Sequence, residues 1–161
     1  MHEKEKKPPL SVKEAQLKAA NYCVYQERSQ KEVRNKLYEY GLFRDEVEEV
    51  LTHLILDGFV NEERFAKSYA GGKFRIKKWG RNRIKLGLRD HDISDYCVQK
   101  GLQEIEEQDY LETLQQLIAK SIENSRENNL FKKRDKISRQ LIYKGFEPEL
   151  VWAQVKNLVQ E

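Results

Sequence analysis

Between Gly71 and Arg89 the chain carries eight cationic side chains and no acidic one: Lys73, Arg75, Lys77, Lys78, Arg81, Arg83, Lys85 and Arg89. A run of this kind makes and breaks no bonds. Its chemistry is attraction to a polyanion or to an acidic protein surface, with displacement of condensed counterions. A second basic stretch, Phe131 to Lys144, holds Lys132, Lys133, Arg134, Lys136, Arg139 and Lys144 against Asp135 alone. The net charge of +3 hides this segregation, because Asp90 to Glu112 carries eight acids and only Lys100 as a base. Arg44 to Arg64 is acid-rich too, through Asp45, Glu46, Glu48, Glu49, Asp57, Glu62 and Glu63. Charge runs are usually solvated faces, but so long a run without a single acid favours a partner. Trp79 sits inside the first run, where it could stack on an unpaired base or pack at a helix junction above Gly80. Packing is the weightier of the two readings.

Catalytic constellations are not found. Gly71-Gly72 lacks the spacing and the following Lys-Ser/Thr of a phosphate loop. His2, His53 and His91 are scattered without a second ligand at metal spacing, and pairs such as Glu48-Glu49 lie on charged helical surfaces. No enzyme, cofactor or metal is expected. Cys23 and Cys97 read as reduced, packed thiols. No apolar run approaches the roughly 18 residues of a membrane span, and no signal core follows Met1, so a cytosolic protein is expected.

The elements that must position these charges repeat. From Val33, steps of 4, 8, 9, 14, 18 and 21 residues reach Leu37, Gly41, Leu42, Val47, Leu51 and Leu54. The same steps from Ile84 reach Leu88, Asp92, Ile93, Val98, Leu102 and Ile105, and from Ile137 they reach Leu141, Gly145, Phe146, Val151, Val155 and Leu158. Six positions are apolar in every copy, and the remaining one is Gly, Asp or Gly at a turn. An identical turn length in three copies is the mark of an internal repeat.

Ser11 and Ser29, each followed three residues later by Glu, open two helices as capping boxes. Asn61 and Ser94 cap two more, and Pro148 suits a first helical turn. Gly71-Gly72 would cost roughly 2 kcal/mol in a helix interior, which predicts a kink or break there. Trp152, beside Val151 and Val155, reads as core. The expectation is an all-α chain of three tandem three-helix repeats, 11–57, 58–106 and 107–161, behind a disordered tail, 1–10. The units are too small to bury their apolar faces alone, so they should stack into an elongated, curved, solenoid-like molecule.

A helix–turn–helix outline also invites a groove-reading role. That role is disfavoured, because the helices that would enter the groove carry Glu46, Glu48 and Glu49 or Asp95, Glu104 and Glu106 toward phosphates.

In their order and spacing these features resemble the RecX family of bacterial recombination regulators. The resemblance is carried by Tyr22, Arg28-Ser29, Val33, Leu37 and Gly41, then Leu54, Asp57-Gly58 and Asn61-Glu62-Glu63-Arg64-Phe65-Ala66. It continues through Arg75, Trp79-Gly80-Arg81, Ile84, Leu88 and Ile93-Ser94, while Asp92 stands where Gly would be more typical. The resemblance implies a non-enzymatic monomer that binds the RecA recombinase and its nucleoprotein filament. Family members suppress strand exchange, ATP hydrolysis and coprotease activity. On that reading Arg75, Lys77, Lys78, Arg81, Arg83, Lys85 and Arg89 form the main contact surface, extended by Lys132, Lys133, Arg134, Lys136 and Arg139. Weak direct binding of single- or double-stranded DNA would accompany it. A stand-alone nucleic-acid binder and a scaffold for another acidic protein remain as alternatives.

Overall fold

The computed structural model describes residues 7–161, and among them are nine α-helices and no strand. These are α1 (Val12–Tyr25), α2 (Gln30–Glu39), α3 (Arg44–Leu56), α4 (Glu62–Lys77), α5 (Arg81–Asp90), α6 (Asp95–Leu102), α7 (Glu107–Asn124), α8 (Leu130–Tyr143) and α9 (Pro148–Leu158). The first six residues of the expected tail lie outside the described residues. Its end is docked: Leu10 donates its backbone N–H to the Tyr40 carbonyl at 2.9 Å, and Pro9 lies against Gly41.

Local sequence accounts for most helix starts. Ser29 accepts from the Glu32 N–H while Glu32 accepts from the Ser29 N–H, the reciprocal capping expected of that tetrad. Asn61 and Ser94 cap α4 and α6 through their side chains. Helix α8 begins at Leu130, where Asn129 accepts from the Lys132 N–H.

The repeat pattern maps onto the core. Its six apolar positions are buried in all three copies, apart from Leu158. The turn position takes a left-handed conformation each time, with φ of +89° at Gly41, +58° at Asp92 and +107° at Gly145. Such a φ closes α2, α5 and α8 at the same point of the repeat.

Two expectations are corrected. Helix α4 runs unbroken through Gly71-Gly72. Gly71 is buried, and a Cβ there would fall 2.8 Å from the Arg75 guanidinium, so its bareness makes room for that side chain. Packing of α4 on both α5 and α6 outweighs the propensity cost. Trp152 is not core but 44% exposed, because α9 buries Val151 and Val155, and Val159 just past its end, while Trp152 lies off that stripe.

The two joints between units differ in kind. Units two and three share one apolar cluster, which runs from Phe65 to Val159 and has Tyr110 and Phe146 at its centre. Unit one has a separate cluster, from Ala15 to Leu54, which Val60 from the segment leading into α4 completes. It meets unit two through polar contacts: Ser29 Oγ lies 3.1 Å from His91 Nδ1, and Lys31 donates to the Asp90 carbonyl at 2.8 Å. No hydrogen bond or ion pair joins units one and three among the described residues, so the repeats form a linear array. No helix there is long and apolar enough to cross a membrane.

Candidate partner-binding face

The basic run occupies the second half of α4, the turn after it, and α5. Along α4 the spacing of four places Tyr69, Lys73 and Lys77 one above the other. The helix ends at Lys78, whose left-handed φ of 57° swings the chain so that Trp79 folds back over α4. The Lys73 ammonium then lies 4.9 Å from the Trp79 ring centre and 5.4 Å from the Tyr69 ring. On α5 the Arg83 guanidinium covers the same indole at 4.4 Å and reaches toward Tyr143 of α8 at 5.6 Å. Tyr69, Lys73, Trp79, Arg83 and Tyr143 therefore alternate aromatic and cation across units two and three, with Tyr143 fully at the surface. Trp79 is half-buried against the shared core and is also sandwiched by charge, so it packs and presents a face at once.

Trp79 leads directly into the joint between units two and three. Gly80 donates its N–H to the Lys144 carbonyl at 3.0 Å, and Asn82 donates to the Gly145 carbonyl at 2.9 Å. A Cβ on Gly80 would lie 2.1 Å from the Phe146 nitrogen, so no other residue fits without moving backbone. Next to this stitch Arg81 turns inward. Its side chain is only 16% exposed, donates to Glu147 at 2.9 Å, pairs with Glu107, and stacks 3.8 Å from the Tyr110 ring centre. The Tyr110 hydroxyl donates to Glu147 and accepts from the Arg81 backbone N–H. Burial, and then the bond to Glu147, push the Tyr110 phenol well above its ordinary value.

The twelve cations expected to form one strip are thus divided. Arg75, Lys77, Lys78, Arg83, Lys85, Arg89, Lys132, Lys133 and Lys136 have no ion-pair partner within 4.0 Å among the described residues. Arg81 is neutralised inside the joint, and Arg139 pairs with Asp135 at 3.0 Å. Arg134 bends back onto the end of α9, donating to the Val159 carbonyl at 2.7 Å. Helical spacing turns Lys85 and Arg89 to a different side of α5 from Arg83. Lys73, Tyr69 and Tyr143 were not expected at the face. The spacing of four from Tyr69 to Lys73 is the signal in the sequence that points to the first two; nothing in it points to Tyr143.

Chemically, this face offers delocalised and point cations beside aromatic planes, and it has no nucleophile paired with a base. Cys97 is buried and donates to Glu62 at 3.6 Å; burial first, then that carboxylate, raise its thiol above the usual range. It is an inert packing residue.

The fold and this face define a class, all-α arrays of three like units with a cationic, aromatic-lined flank. Family models assign it more narrowly. The models described as RecX first, second and third three-helix domains match residues 15–54, 61–102 and 107–155 in turn. The chain belongs to the RecX family. Proteins named Regulatory protein RecX from Bacillus mycoides (strain KBAB4) and Bacillus cereus (strain G9842) are each 24% identical over 150 residues, 93% of this chain. The chain spans 56% of the length of each of these relatives. The crystal structure of RecX from Lactobacillus salivarius superposes with a TM-score of 0.82 at 26% identity, covering 91% of this chain and 96% of that one. A second crystal structure, of a regulatory protein RecX, has a TM-score of 0.78 at 23% identity, covers 91% of this chain and 73% of that one, and shares the fold.

Proposed function

We propose that this protein binds the RecA recombinase and its filament on DNA, and restrains strand exchange, ATP hydrolysis and coprotease activity without catalysing a reaction itself. Membership of a family of regulatory proteins supports the class of function. The observation that carries the contact surface is the alternation of Lys73, Trp79, Arg83 and Tyr143 on one flank of units two and three. Unpaired cations are costless to redirect toward an acidic protein surface or a phosphate, whereas Arg81 is not. A filament groove offers both kinds of target.

Titration of RecA assembled on single-stranded DNA tests the reading. The rate of ATP hydrolysis should fall as this protein is added, at or below one copy per RecA. A flat titration rejects it.

A second reading has one observation in its favour. The Tyr143 ring is open to solvent beside the Arg83 guanidinium, a pairing suited to stacking an unpaired base. Direct binding to a single strand through roughly five phosphates gives a log–log salt slope near −3.5. Binding that ignores salt removes that reading.

A further inference from the structure

The two joints of the array use the same steps of the repeat and fill them differently. Between units one and two these steps hold Lys31, Glu32 and Asn35 on α2, and Arg89, Asp90 and Asp92 around the end of α5. Between units two and three they hold Asn82, Arg83 and Leu86 on α5, and Ile142, Tyr143 and Gly145 around the end of α8. The first joint is closed by charge: Lys31 donates to the Asp90 carbonyl and pairs with Asp92. At the second, the six residues line a recess of about 330 Å³. Asn35, Arg89 and Asp90 give way there to Leu86, Ile142 and Tyr143, and Leu86 and Tyr143 stay 61% and 81% exposed with both units in place. A lone exposed leucine is ordinary, but an apolar cluster across a formed joint marks a contact. The charge is reversed too. Arg83 stands where unit one has Glu32, and no acid lies within 4.0 Å of it among the described residues. Lys73 flanks the same Trp79 indole that Arg83 covers.

We infer that this recess receives one large apolar side chain from an acidic segment of the protein partner, with a neighbouring carboxylate on Arg83. The inference rests on the partner-binding function proposed for this flank and states what the partner must carry there. An inserted side chain uses all three apolar walls. An unpaired base would lie flat on Tyr143 and leave Leu86 and Ile142 uncovered. Burial of the anchor supplies affinity, while Arg83 and Lys73 supply orientation and rate of encounter.

Leu86→Asn installs the residue that unit one has at the matching step, and Tyr143→Ser removes a wall without adding charge. Both positions are exposed, so the helical signal and cooperative melting should persist, with Leu86→Gln in reserve if the asparagine melts early. Each variant should move the inhibition titration of RecA on single-stranded DNA to about tenfold higher concentration, the loss of one buried apolar side chain. For Leu86→Asn the shift should be equal at roughly 50 and 200 mM salt. Leu56→Asn, at an exposed apolar position of unit one, should overlay the wild type. A Leu86→Asn titration that overlays the wild type overturns the inference, and so does a shift that vanishes with salt or an equal loss in Leu56→Asn. A second arm needs no RecA. A short glutamate peptide with one central phenylalanine, at roughly millimolar concentration, should displace the methyl resonances of Leu86 and Ile142, and its alanine counterpart should not. If the wild type leaves ATP hydrolysis untouched, the proposed function falls and the peptides alone decide. Methyls that ignore both peptides, or answer both alike, overturn the inference. So does oligothymidylate that moves them at lower concentration than the peptide, which would assign the recess to a base.

Discussion

Gly80 and Gly145 meet backbone to backbone: a Cβ on Gly80 would stand 2.2 Å from the Gly145 carbonyl carbon. The contact joins units two and three at the point where the basic run turns into α5. Gly80→Ala should therefore cost about 1–3 kcal/mol by forcing backbone apart in a closed joint. Gly72, in the middle of α4, has nothing within 4 Å of a built Cβ. Gly72→Ala should stabilise by about 0.5–1 kcal/mol through helix propensity. Urea midpoints of the two variants should move in opposite directions; a shared direction would contradict the packing described.

Asp92 holds the turn position that is Gly in units one and three, and does so with a left-handed φ of 58°. Its ion pair with Lys31, at 3.9 Å, is exposed and contributes little. Asp92→Gly should raise the melting temperature, with a gain below about 1 kcal/mol as relief of strain exceeds the added chain entropy. A drop in stability would mean that the Lys31 contact holds units one and two together more firmly than its geometry suggests.

Tyr110 is neutral in the fold and its phenol is raised by burial and by Glu147. Its contribution is fully present below the unfolded value, about pH 10, and is lost as pH rises above it. Tyr110→Phe should lower stability at neutral pH by about 1 kcal/mol, the worth of one buried hydrogen bond. The gap to wild type should narrow as pH climbs past 10. Chemical denaturation at pH 7, 9 and 11 reads this directly, and a constant gap would remove Tyr110 from the linkage.

Separate cores predict separate openings. The apolar cluster of units two and three is continuous, but unit one touches them through polar groups, Glu27, Ser29, Lys31 and Glu32, whose partners are Arg64, His91 and Asp90. Amides of α2 and α3 should exchange through openings of lower free energy than those of α5 and α8. Hydrogen exchange resolved by residue checks this; uniform protection across both clusters would indicate one cooperative unit.

Periodicity revealed the helices and their grouping, because buried positions repeat at fixed steps whatever fills them. The turn residue was legible for the same reason, even with Asp92 in place of Gly. What spacing along one chain cannot carry is the third dimension of a joint. Arg81 reads as one more free cation, yet Glu107 and Glu147, 26 and 66 residues away, consume its charge. Charge reversal there would strand both carboxylates and test folding rather than binding. Trp152 follows the apolar neighbours of α9 in sequence but lies off the stripe of Val151 and Val155 that the helix buries. Local propensity likewise overstated the effect of Gly71-Gly72, where packing of α4 on α6 decides.

The cations that flank Trp79 carry the proposed contact, and RecA's DNA-dependent ATP hydrolysis interrogates them most directly. Lys73→Glu with Arg83→Glu, both free of internal ion pairs, should keep the helical signal and cooperative melting at a cost of about 1–2 kcal/mol for the lost contacts to Trp79, and shift the inhibition titration by about tenfold or more, the loss of roughly 1.4 kcal/mol or more of binding. Inhibition by the double variant that overlays the wild-type titration would place the contact elsewhere on the molecule.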